Sequence, residues 1–126
     1  MRAVDTNVLV RLVTRDDEKQ LAVAQEFEAK GVWASLLVLA ETTWVLTDSY
    51  DFTHAEVAAV IEMWLNHRYI NLQDPDVVEA ALEEYRRRPS LGFSDCLVLE
   101  IAKKAGHVPL GTFDKALARL DGTERL

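Results

Sequence analysis

The sequence is poor in the residues that staple, ligate or attack. Its one cysteine, Cys96, cannot close an intramolecular disulfide, and no spacing of cysteine and histidine suggests a zinc site. This pattern fits a reducing, cytoplasmic setting. The three histidines, His54, His67 and His107, fall in or near turns with no nucleophile or paired ligand beside them in sequence, which disfavours histidine acid–base chemistry. Long apolar runs are absent too. The longest, Val32 to Ala40, contains Ser35 and ends at Glu41, too short to span a bilayer, and Asp5 interrupts the N-terminal segment before any signal-like apolar stretch develops. Basic residues are outnumbered, 14 against 21 acidic, for a net charge of −7. Such a balance argues against a general nucleic-acid binder unless carboxylates converge on divalent cations, which invert the local charge.

What is present is an ordinary globular composition, 49% hydrophobic and 28% charged, in 126 residues. That length predicts one domain over residues 1–126, with a core of its own. Short apolar segments alternate with amphipathic helices, the pattern of a parallel sheet covered on both faces. Strands are predicted at Met1–Val4, Val32–Ala34, Tyr69–Leu72 and Val108–Thr112, Pro109 confining the last to a strand start or a tolerant edge. Helices are predicted from Thr6 to Val13, from Asp16–Asp17 through Glu28 to the stop at Gly31, and from Leu36 to about Thr47. Others follow the capping-box spacing Thr53-His54-Ala55-Glu56, follow Asp74-Pro75, open at Ser94, and cover Lys115 to Leu120. Trp33, Trp44 and Trp64 fit core stripes, and Cys96 a small core position. The run Arg86-Arg87-Arg88 suits a helix C-terminus, and Glu100 and Lys104 make an i,i+4 pair.

Four acids stand in places where chemistry competes with a structural role. Asp5 follows the first strand, at the edge where open α/β sheets bind ligands, and equally suits capping the helix from Thr6. Glu41 shares a helical stripe with Leu37, Val38, Trp44 and Val45, where a buried carboxylate requires a cation, a proton or a basic partner. Asp95 lies in the first turn after Ser94, and Asp114 follows the last predicted strand. Each of these two also fits a helix start. All four can reach one crevice at the same sheet edge. Their repulsion there would be relieved by hard divalent ions, and all-oxygen ligation selects Mg²⁺ or Mn²⁺ over zinc. A site of that kind activates water for phosphodiester cleavage.

The segments Val4-Asp5-Thr6-Asn7, Leu39-Ala40-Glu41, Phe93-Ser94-Asp95-Cys96-Leu97 and Gly111-Thr112-Phe113-Asp114, as an ordered set, resemble PIN-domain nucleases, in particular the VapC-type toxins of VapBC toxin–antitoxin pairs. The resemblance runs end to end. It implies a three-layer α/β/α sandwich with a four- or five-stranded, mainly parallel sheet and metal-dependent endoribonuclease activity. It also implies a catalytic, metal-binding quartet of Asp5, Glu41, Asp95 and Asp114 that holds Mg²⁺ or Mn²⁺, supported by Thr6, Asn7 and Thr112. An RNA substrate, a cognate antitoxin lying across the groove and a homodimer follow from the same likeness. Two other readings share the length and the alternating pattern: a phospho-accepting, Mg²⁺-binding receiver-type signalling domain, and a non-catalytic binding partner. The first lacks an adjacent acid pair after strand one and a suitably placed lysine after the last strand; in the second the acids are caps and surface charges.

Overall fold

Parallel pairing organises the chain. A computed structural model describes all residues, 1–126. Strand β1 (Arg2–Ala3) pairs with β2 (Val32–Ala34), and β2 with β3 (Ile70–Leu72), in the order β1-β2-β3. Strands β2 and β3 alternate as the two-residue repeat requires. Val32, Ala34, Ile70 and Leu72 are buried, whereas the row Ala3, Trp33 and Asn71 is exposed. Trp33 is therefore not a core residue, because strand geometry turns it away from its buried neighbours. Strands β4 (Leu110–Thr112) and β5 (Thr123–Arg125) form a second parallel pair. The strand expected from Val108 begins only at Leu110, so Pro109, which has no N–H to give, stays outside the ladder.

Most helix boundaries carry a visible cap. Asp5 accepts from the Val8 N–H at 3.3 Å and opens α1 (Thr6–Thr14). Asp17 does the same for α2 (Glu18–Glu28) through Gln20 at 3.0 Å, and Ser35 for α3 (Leu36–Tyr50) through Val38 at 3.1 Å. Such caps satisfy N–H groups that the helix itself cannot. The Thr53–Glu56 box is formed at α4 (His54–Leu65), with both reciprocal hydrogen bonds present. Helices α5 (Pro75–Arg87) and α6 (Phe93–Ala105) start without a side-chain cap, and Gly106, at φ +82°, ends the latter in the left-handed turn that glycine tolerates. The last predicted helix shrinks to a single 3₁₀ turn, Leu117–Arg119.

One apolar cluster of 23 buried residues joins the three-stranded sheet to α1 and α3–α6, with Leu9, Leu39, Ile61, Trp64, Val78 and Leu99 essentially inaccessible. Helices α5 and α6 pack on each other, and α3 lies against both α1 and α6. The starts of α1 and α6 both approach α3, through Thr6 at Glu41 and Ser94 near Trp44. No helix is long and apolar enough to cross a membrane.

Candidate active site

Asp5 leaves β1 at its carboxyl end and is exposed, its Oδ1 engaged by the α1 N-terminus. Structural capping and an outward position thus coexist in one side chain. The next residue, Thr6, donates its hydroxyl to Glu41 Oε2 at 3.0 Å, and this bond ties the first turn of α1 to the second turn of α3. Asn7 is exposed beside Asp5. Both line an open cleft of about 720 Å³ between α1 and α2, which is floored by apolar residues including Val8, Val23 and Phe27.

Glu41 corrects one expectation. It is exposed, and its helical neighbours Leu37 and Trp44 are 69% and 62% exposed, so the stripe around it faces outward. The buried side of α3 is carried instead by Leu39, Thr42, Thr43 and Leu46. The threonines are tolerated there because their hydroxyls turn back onto the helix: Thr42 donates to the Val38 carbonyl at 2.7 Å and Thr43 to Ala40 at 2.8 Å. Trp44 accordingly leaves the list of core residues, while Trp64, 1% exposed, remains on it.

Asp95 is half-buried in the first turn of α6. Burial pushes its carboxyl above the ordinary aspartate range, and the charge of Asp114 pushes it further, against a hydrogen bond from the Gly92 backbone that favours ionisation. The two aspartates are thus close enough to repel. Asp114 follows β4 in an ordered turn: its backbone N–H donates to Thr112 Oγ1 at 3.0 Å, and its Oδ1 accepts from Ala116 and Leu117 at 2.8 and 2.9 Å.

The acids therefore meet as Asp95 with Asp114, and as Glu41 with the Thr6 that follows Asp5. No three His, Cys, Asp or Glu side chains stand close enough to grip an ion as they lie. The donor chemistry nevertheless suits a hard divalent cation: carboxylate oxygens, a neighbouring hydroxyl, and no thiolate or imidazole. None of the four acids forms an ion pair with a lysine, arginine or histidine. By contrast, Asp16, Glu28, Glu62, Asp74, Asp76, Glu83 and Glu100 each have a basic partner.

Several other charged residues are committed elsewhere. Arg11 contacts Gln20, Asp16 and the Tyr50 hydroxyl, binding α1 to the start of α2 and the end of α3. Arg86 and Arg87 pair with Glu62 and Glu83, leaving Arg88 as the member of that run without an acid. Lys104 reaches Asp74 and Asp76 rather than Glu100, which pairs with Lys103. His67 does have a carboxylate beside it, Glu28 at 3.0 Å, a contact between residues far apart in sequence. Cys96 is fully buried, and burial raises its thiol to about 12, so it carries no thiolate at neutral pH.

Sequence reasoning missed a small pocket of about 260 Å³ where α3, α4 and the turn before α6 meet, lined in part by Trp44, His54, Tyr85 and Ser94. Its residues come from four segments, and no local spacing announces it.

A protein named VapC ribonuclease, from Aquifex aeolicus (strain VF5), is 26% identical over 125 residues, covering 95% of this chain and 92% of that protein. No solved structure matches the chain at a significant level. The model of the PIN domain family matches residues 2–123, spanning all four acids and nearly the whole sequence. The chain belongs to the PIN domain family.

Proposed function

We propose that residues 1–126 act as a single nuclease domain, a metal-dependent endoribonuclease that hydrolyses RNA phosphodiester bonds as the toxin of a VapBC-type pair. The observation that carries this reading is the repulsion between Asp95 and Asp114, with Glu41 tied by Thr6 to the turn that holds Asp5 and no basic side chain neutralising any of the four. Family membership and the likeness to a VapC ribonuclease support it.

Asp5, Glu41, Asp95 and Asp114 would hold Mg²⁺ or Mn²⁺. When bound, the ion would make a water easier to deprotonate and supply positive charge for the phosphate oxygens. The rest falls to the chain. Thr6 fixes the rotamer of Glu41 through its hydroxyl, and Thr112 holds the Asp114 turn in place. The α1 N-terminus holds Asp5 by one oxygen and leaves the other outward. Asn7, exposed beside Asp5, offers an amide that can hydrogen-bond a phosphate or a water. Burial and the charge of Asp114 strain the Asp95 carboxylate, and a divalent cation between the two would relieve that repulsion.

A cognate antitoxin is the expected partner. The open apolar cleft between α1 and α2, with Asp5 on its lining, would receive part of it. A homodimer and a cytoplasmic location complete the proposal. The test is cleavage of single-stranded RNA by the purified chain. Degradation that a chelator abolishes and Mn²⁺ restores is the expected result; degradation unaffected by chelator, or none with either metal, overturns the reading.

A further inference from the structure

We infer that the pocket between α3, α4 and the α6 turn binds one unpaired nucleobase of the strand whose phosphate lies at the acids. This inference rests on the RNA-cutting function proposed above and adds a subsite to it. The pocket adjoins the candidate site on two elements. On α3, Trp44 follows Glu41 by less than one turn; on α6, Ser94 directly precedes Asp95.

Its chemistry is that of a flat, neutral ring. His54 stacks on Tyr85 with ring centres 3.7 Å apart, and Phe93 meets Tyr85 edge-on at 5.7 Å. The Nε2 of His54 contacts the Tyr85 carbonyl, which can only accept, so Nε2 is the donor in that contact. Trp44 lines the same pocket while 62% exposed, a large aromatic surface with nothing of this chain covering it. Aromatic faces of this kind stack bases with little regard to sequence. Two hydroxyls supply polar contacts. Thr47 donates to the Thr43 carbonyl and so presents its oxygen lone pairs, while Ser94 has no partner within the chain and is free to donate or accept. No lysine, arginine, aspartate or glutamate lines the pocket. With no cationic side chain on the lining, the aromatic surface favours a base over a phosphate. At about 260 Å³ the space falls below the range of about 300–1,000 Å³ that takes drug-sized ligands, and suits one ring system.

Two measurements on the full chain test this. In the first, nucleoside 5′-monophosphates are titrated without metal, and the indole N–H signal of Trp44, assigned by its loss in Trp44→Phe, is followed by NMR. A saturable shift at Trp44, absent from the signal of buried Trp64, is expected; no shift with any of the four nucleotides overturns the inference whether or not the chain cuts RNA. In the second, RNA cleavage is compared in Trp44→Ala, Trp44→Phe and Leu37→Ala. Trp44→Ala should raise KM about tenfold with kcat nearly unchanged. Trp44→Phe should restore most of the loss, and Leu37→Ala, exposed on α3 but outside the pocket, should leave KM alone. Equal effects of Trp44→Ala and Leu37→Ala, accompanied by a change in sedimentation, would assign the surface to a second copy of the chain and overturn the base subsite. Absence of cleavage in the wild type alongside a clear Trp44 shift would instead sink the nuclease reading and leave a base-binding pocket.

Discussion

Two populations of acids divide this molecule. At the junction of α1, α2 and α3, Asp16 accepts hydrogen bonds from Thr14 at 2.8 Å, Tyr50 at 2.9 Å and Arg11 at 3.1 Å, and these hold its carboxyl below the ordinary range. Asp76 is lowered in the same direction, chiefly by Lys104, which spans from the end of α6 to the start of α5. Asp95 moves the opposite way, raised by burial and by Asp114. The residue type is the same and the sign is reversed. Folding favours the first two charges and strains the third.

The widest separation between the populations should be in activity. Asp95→Asn should lower RNA cleavage by at least about a hundredfold, since even the outer partners of a metal site are worth 10- to 100-fold. Asp16→Asn should leave kcat/KM unchanged. Equal loss in the two variants would erase the distinction.

Stability should separate them in reverse. Because Asp95 has a raised folded-state pKa, its ionised form costs stability above that pKa, and the cost disappears as pH falls through it. Asp95→Asn should therefore melt above the wild type at neutral pH in metal-free buffer, with the gain fading in acid. Asp16 obeys the opposite sign: its lowered pKa contributes stability that is present above the unfolded value and lost as pH falls through the folded one. Asp16→Asn should melt below the wild type at neutral pH, and the two curves should converge at low pH. Thermal melts across pH check both directions.

The smallest effect belongs to the α5–α6 tie. Lys104→Ala removes ion pairs to Asp74 and Asp76 that lie at the surface. It should lower the melting temperature less than Asp16→Asn does, and the difference should shrink in high salt.

Much of this division was legible in the chain. Strand and helix order, the Thr53–Glu56 box and the position of Asp5 at a strand end all follow from local periodicity and capping. Local rules failed where partners come from distant segments. Glu41 and Trp44 looked buried because helical spacing groups them with Val38 and Val45, but the Thr42 and Thr43 hydroxyls satisfy themselves on the helix and let that side turn inward. The Lys104–Asp74 and His67–Glu28 pairs join residues 30 and 39 positions apart, beyond any i,i+4 rule. Strand β5 is three residues long and has no apolar run of its own; it exists by pairing with β4.

The central claim is that Asp5, Glu41, Asp95 and Asp114 form one metal site. Anomalous scattering from crystals of the full chain soaked in millimolar Mn²⁺ tests it most directly. The predicted result is a peak whose ligand oxygens include Asp95 together with at least one of Asp5, Glu41 and Asp114. Manganese bound only among the paired acids, at Asp16 or at Asp74 and Asp76, or absent from the crystal altogether, would contradict it.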